Sequence, residues 1–198
     1  MSSNLMVEEK IDPRIKRTRS LLEQAFREVL IEKGFQSISV QDITEKAGVN
    51  RTTFYLHFPD KYALLDFSIS ASFRQELEKR TLNLCHFSPE NLHSLIVTVA
   101  EFILYANSHC KSTDPQFEML VERQVKKQVH DLLQVWVEKI EFNSKTDPAI
   151  IAGSWAIYGL AVDWSHDKNR PNVESFAKNN SPLIQSILGL AQTLESIQ

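Results

Sequence analysis

Apolar residues recur at helical spacing along most of this chain, and short polar or proline-bearing breaks separate the runs. Asp12 and Pro13 open a first helix whose inward stripe is Ile15, Leu22, Ala25, Phe26, Val29 and Leu30, and Gly34 closes it. Ser39 caps a second, with Gln41 and Asp42 in its first turn and Val40, Ile43 and Ala47 turned inward. Gly48 ends that helix in a left-handed conformation, Val49 plugs the turn, and Asn50 caps a third from Arg51 to about Phe58. Pro59-Asp60 stops it and starts a long helix to about Leu84. The early residues of that helix, Tyr62, Leu64, Leu65 and Phe67, are expected to pack on the first three. Its later ones, Ile69, Phe73 and Leu77, are expected in a second domain, which would make this helix a lever.

Ser88-Pro89 opens a helix holding Leu92, Leu95, Ile96, Val99, Phe102, Ile103 and Tyr105. Asp114-Pro115 opens another, with a break expected near Val121 and the pattern Val125, Val129, Leu132, Leu133, Trp136, Val137 and Ile140 continuing to about Phe142. Asp147-Pro148 opens the most apolar helix, Ala149 to about His166. It falls short of the roughly 18–20 apolar residues a membrane span needs and runs into Asp163, so burial on two sides is the better account. His166 to Asn180 reads as a polar loop with a short helical turn around Val173 to Lys178. Ser181-Pro182 then opens a last helix with Leu183, Ile184, Ile187, Leu188, Leu190, Ala191 and Leu194 on a wide apolar face. Two such C-terminal helices predict a four-helix interface between two copies of the chain.

The predicted fold is all-α: an N-terminal three-helix domain with a helix-turn-helix, then a larger C-terminal helical domain. Residues 1–11 read as a flexible arm, residues 12–60 as the helix-turn-helix domain, and residues 61–198 as a ligand-binding and dimerisation domain. A hydrophobic share of 42% and a charged share of 24% are ordinary for a soluble globular chain. The net charge of −3 hides an asymmetry: residues 10–61 carry ten basic against seven acidic side chains, and residues 62–198 twelve against sixteen. A mildly basic head on an acidic body is expected where only one end meets phosphate. Two cysteines, Cys85 and Cys110, make no disulfide framework, which favours a reducing cytoplasm. Met1 to Lys10 has no apolar core and carries two glutamates, so no signal peptide is expected there.

The stretch from Ser39 to Lys61 has helix-turn-helix geometry. With Phe54 and Phe58 inward, the third helix turns Thr52, Thr53 and Leu56 outward and sets Arg51, Tyr55 and His57 on its flanks. That face carries no carboxylate and fits the major groove of double-stranded DNA. Arg51 suits a guanine edge or a phosphate, and Leu56 a thymine methyl. Thr52 and Thr53 suit close approach to bases or phosphates. Gln41 is placed to reach a base or phosphate, and Lys61 to close on the backbone. Arg14, Lys16, Arg17 and Arg19 crowd the first helix and suit phosphates.

The same stretch resembles the DNA-binding domain of the tetracycline-repressor-type (TetR) family of bacterial regulators. The matching residues are Gly34-Phe35, Ser39-Val40, Asp42-Ile43, Ala47-Gly48-Val49, Thr53-Phe54-Tyr55, His57-Phe58, Lys61 and Leu64-Leu65, within roughly Ile15 to Phe67. Tyr55 and His57 look like phosphate binders by position, and the resemblance supports them; with Gln41, Asn50, Arg51, Thr52, Thr53, Leu56, Lys61 and Lys16, assigned by their place on the helices, they make the set expected at the DNA. The resemblance also implies dimerisation through the two C-terminal helices. Thr52, where the family often has glycine or a small residue, and Leu56 depart from the pattern, which concerns which operator is read.

In the second domain, Phe102, Tyr105, Phe117, Met119, Trp136, Trp155 and Tyr158 are the candidates to line an apolar effector cavity. Cys85-His86 and His109-Cys110 lack CxxC or HxxxH spacing, so no metal or other cofactor is assigned. The expectation is a homodimeric repressor of a palindromic operator, released by a small-molecule inducer, with no membrane partner. An enzyme finds no HExxH, GxSxG, phosphate loop or dinucleotide fingerprint to act through. An interaction module or metal sensor that kept the helix-turn-helix as a scaffold is the alternative.

Overall fold

The computed structural model describes residues 12–80, 86–109, 115–140 and 148–189. Among them are eight α-helices, one 3-10 turn and no strand: α1 (Pro13–Lys33), the turn Phe35–Ser37, α2 (Val40–Ala47), α3 (Arg51–His57), α4 (Lys61–Arg80), α5 (Pro89–His109), α6 (Pro115–Ile140), α7 (Pro148–His166) and α8 (Val173–Ile187). The fold is all-helical, with an N-terminal helix-turn-helix domain and a larger C-terminal helical domain. Pro13, Pro89, Pro115 and Pro148 each occupy the first helical position, where a missing N–H costs nothing. The expected arm, residues 1–11, lies outside the described residues.

Contacts divide the chain into Met1–Ser68 and Ile69–Gln198. The division therefore falls inside α4, the helix expected to be shared by both domains. The reason is local: the first turns of α4 bury Leu64 and Leu65, and Tyr62 meets Phe35 edge-on with ring centroids 5.2 Å apart.

In the first unit α1 packs on α2 and α3 around Leu22, Phe26, Phe35, Ile43 and Phe54, all fully buried. Ile15, expected in the stripe of α1, is 39% exposed, because the buried stretch of that helix starts only at Leu22. In the second unit α5 lies against α7 and α8, and α7 also against α6. Gly153 of α7 permits that packing, since a Cβ there would stand 2.8 Å from Leu188 Cδ2. Asp163, at the end of α7, is exposed.

Two expected boundaries are corrected. α6 runs unbroken through Val121, because Phe117, Leu120, Val121, Gln124 and Val125 keep one buried face in phase. α8 begins at Val173, capped by Asn172, and carries Pro182 in its interior instead of opening there. Leu190, Ala191 and Leu194 lie outside the described residues.

Candidate nucleic-acid interface and effector cleft

The helix-turn-helix is held by caps that the sequence specifies. Ser39 Oγ accepts from the Asp42 N–H at 3.1 Å while Asp42 Oδ2 accepts from the Ser39 N–H at 2.8 Å, a reciprocal box that fixes the start of α2. The Lys33 ammonium donates to the other Asp42 oxygen at 2.6 Å. Lys33 and Ser39 together hold the Asp42 carboxyl well below the usual carboxylate range. Gly48 then turns the chain at φ 66° and ψ 32°, a left-handed conformation that side chains rarely adopt. Lys46, at the end of α2, closes on Glu28 and Glu32 of α1 at 3.3 and 3.1 Å.

Asn50 caps α3: its Oδ1 accepts from both the Thr53 N–H and the Thr53 hydroxyl, at 2.7 and 2.9 Å. Two residues assigned to DNA thus orient each other first. Phe54 and Phe58 anchor the inner side of α3, with centroids 6.0 Å apart. Opposite them Leu56 stands 79% exposed and Tyr55 49%, with Arg51 and Thr52 exposed beside them. The Arg51 guanidinium reaches the Tyr55 hydroxyl at 3.5 Å. Gln41, exposed on α2, donates to Glu45 at 2.8 Å, and Lys16 is exposed on α1.

Lys61, expected at the DNA backbone, is engaged within the chain. Its ammonium donates to the carbonyl oxygens of Phe35, Gln36 and Ile38 at 3.0, 3.3 and 2.9 Å, and stands 4.8 Å from the centre of the Phe35 ring. All three of its N–H groups are engaged, so it clasps the 3-10 turn rather than facing outward as a free cation.

Arg19, named in the sequence only as one of a basic run, has a particular place. Its guanidinium lies over the Phe58 and Phe67 rings at 5.8 and 5.9 Å, and its Nε is buried without an acceptor. Burial, and secondly the Arg19 charge, hold the His57 imidazole below its ordinary pKa. The aromatic content of α3 and α4 was readable. Their convergence on one arginine was not.

The aromatic candidates of the second unit separate into three places. Phe117 and Tyr158 line a cleft of about 470 Å³ between α5, α6 and α7, together with Ile103, Asn107, Glu118, Glu122 and His166. Met119 and Trp155 line an outer groove of similar volume between α6 and α7, where Lys126 Nζ stands 3.2 Å from the centre of the Trp155 ring. Trp136, Phe102 and Tyr105 line neither. Trp136 is fully buried core against Phe87, Phe102 meets Phe73 edge-on at 5.2 Å, and Tyr105 is 54% exposed. Asn107, Glu118, Glu122 and His166 were not singled out in the sequence, because polar residues at helical spacing look like a solvated face, and Asn107, Glu118 and His166 are indeed exposed at the rim of the cleft.

Among the described residues no cluster of His, Cys, Asp and Glu is arranged to hold a metal, and no helix is long and apolar enough to cross a membrane. Cys85 and Cys110 lie outside the described residues.

Residues 21–66 match the family model of bacterial regulatory proteins of the tetR family. A curated relative from Bacillus subtilis (strain 168), the uncharacterized HTH-type transcriptional regulator YxbF, is 40% identical over 76 residues. The match covers 38% of this chain but only a fifth of the length of that relative (20%). Among solved structures, RolR in complex with the ligand resorcinol superposes with a TM-score of 0.54 at 15% identity, covering 90% of this chain and 95% of its own. A TetR transcriptional regulator from Streptococcus agalactiae 2603V gives 0.53 at 21% identity, covering 87% and 96%. At those identities the likeness speaks for the fold. The family model thus lies across the helix-turn-helix, and the likeness of fold extends over nearly the whole chain.

Proposed function

We infer that this chain is a ligand-responsive transcriptional repressor that binds a palindromic operator as a homodimer and is released by a small molecule. The observation that carries this reading is the outer face of α3. Leu56 is 79% exposed between Arg51, Thr52 and Tyr55, on a helix capped at one end and pinned by buried Phe54 beneath. On that carboxylate-free face a major groove offers Leu56 a thymine methyl and offers Arg51 a guanine edge. Two copies joined through α7 and α8 would present two α3 helices to one operator, about 34–36 Å apart.

The cleft between α5, α6 and α7 is the effector site in this reading. An effector that favours a conformation with the wrong spacing needs a coupling of only about 1–3 kcal/mol to weaken operator binding about 5–150-fold.

The test is binding of the purified protein to the DNA flanking its own gene, with excess competitor DNA, at about 50 and about 200 mM salt. Tight, competitor-resistant binding of one dimer per site is the expected result. Weak binding that disappears at the higher salt would leave only nonspecific phosphate contact and sink the reading.

A further inference from the structure

The lining of the inner cleft narrows the chemistry of what it takes. Glu118 and Glu122 stand one helical turn apart on α6 and both line it. Glu122 is answered by Lys126, whose Nζ lies 2.5 Å from its carboxylate, 3.2 Å from the centre of the Trp155 ring in the outer groove and 5.8 Å from the centre of the Tyr158 ring. Glu118 has no cationic partner among the described residues, which leaves the cleft with an uncompensated negative charge. The Tyr158 hydroxyl reports that field: burial, then Glu122 and Glu118, push its pKa up to about 12. Across the cleft the Asn107 amide directs its Nδ2 toward Ser165 Oγ at 3.1 Å and His166 Nε2 at 3.5 Å, which leaves its Oδ1 as an acceptor. The apolar part of the lining is aromatic and aliphatic, with the Phe117 and Tyr158 rings and Ile103 among it.

The geometry points to an effector that joins a protonated amine to a flat apolar body, the cation set against Glu118 and the body against Phe117, Tyr158 and Ile103. Carboxylates and aromatic faces both attract a cation, and the acceptors left open need N–H donors. An anionic ligand of the same shape would meet carboxylates with no arginine or lysine on the lining to receive it. This inference rests on the reading of the cleft as the effector site.

Three probes of nearly the same shape test it on the full chain: tryptamine as the cation, tryptophol as the neutral form and indole-3-propionate as the anion. Binding is followed by ligand-observed NMR in low-salt buffer. Tryptamine should bind at least about tenfold more tightly than indole-3-propionate, as an uncompensated charge at close range requires. Glu118→Gln, at an exposed position on α6, should abolish that preference while tryptophol still binds. Val162→Trp, which fills the cleft, should weaken all three.

A preference for indole-3-propionate, or a tryptamine preference that survives Glu118→Gln, would overturn the assignment. Equal binding of all three, lost in Val162→Trp, would overturn the charge class while keeping the cleft as a ligand site. Binding of none of them, or binding indifferent to Val162→Trp, would overturn the cleft reading together with this inference.

Discussion

The ammonium of Lys61 satisfies three carbonyl oxygens around the 3-10 turn, while the guanidinium of Arg51 touches only the Tyr55 hydroxyl. Lys61→Met should therefore cost about 1.5–3 kcal/mol of stability, the range for hydrogen bonds to a charged group. It should lower the denaturation midpoint and leave the salt dependence of DNA binding alone. A slope reduced by about one at unchanged stability would instead return Lys61 to the phosphates. Arg51→Ala should do the converse: unchanged melting, with affinity lower by about 1–3 kcal/mol and preference relaxed at particular base pairs. Asp42 gives a pH dependence whose sign is fixed. Lys33 and Ser39 depress its folded pKa, so its contribution is fully present above the ordinary carboxylate range and is lost as pH falls below it. In urea titrations between neutral and acid pH, Asp42→Asn should be less stable than the parent at neutral pH, with the gap closing toward acid.

At the scale of elements, α8 shows where periodicity and capping disagree. Ser181-Pro182 looks like a helix start, since serine caps and proline suits a first position. Asn172 supplies the real start, accepting the Ser175 N–H at 2.8 Å, and burial of Phe176 and Ala177 then carries the helix through the proline. Pro182 leaves a carbonyl one turn back without its donor. Nearby, Ser181 Oγ donates to Ala177 O at 2.7 Å and Asn180 Nδ2 to Phe176 O at 2.8 Å, so neighbouring carbonyls gain side-chain donors. Asn172→Ala should cost about 1 kcal/mol, and Pro182→Ala should raise stability by up to about 3 kcal/mol, both read from thermal melts. A loss on Pro182→Ala would mean that the proline shapes a bend the packing needs. The helix-turn-helix was legible because Ser39, Asp42, Gly48 and Asn50 act within a few residues of themselves. The bounds of α8 and the continuity of α6 were not, because buried contacts with other helices decide them. The cleft was half legible for the same reason: Phe117 and Tyr158 are apolar enough to single out, whereas Glu118 acquires meaning only once α5 and α7 lie across from it.

For the molecule as a whole, the unexplained surface is on α7. Ile151 and Trp155, one turn apart, are 44% and 57% exposed, and Gly159 is exposed one turn further on, while Leu183 of α8 is 50% exposed. Large apolar side chains repeated along one helix face are what a second copy would cover, and a stable interface needs about 800 Å² from each partner. In a two-fold arrangement each patch meets its own copy or the neighbouring helix of that copy, so one substitution enters the interface twice. Ile151→Glu with Trp155→Glu should therefore do more than remove apolar area: it should place carboxylates from both copies inside one apolar interface, at the desolvation cost that burying charge carries. Light scattering should show the parent as a dimer and the double variant as a monomer, with helical content retained by circular dichroism. Operator binding should fall with the dimer, because a single α3 reads only half of a palindrome. A double variant that stays dimeric would move the interface off this face. One that is monomeric yet binds the full operator as tightly as the parent would remove the need for two heads, and with it the palindrome.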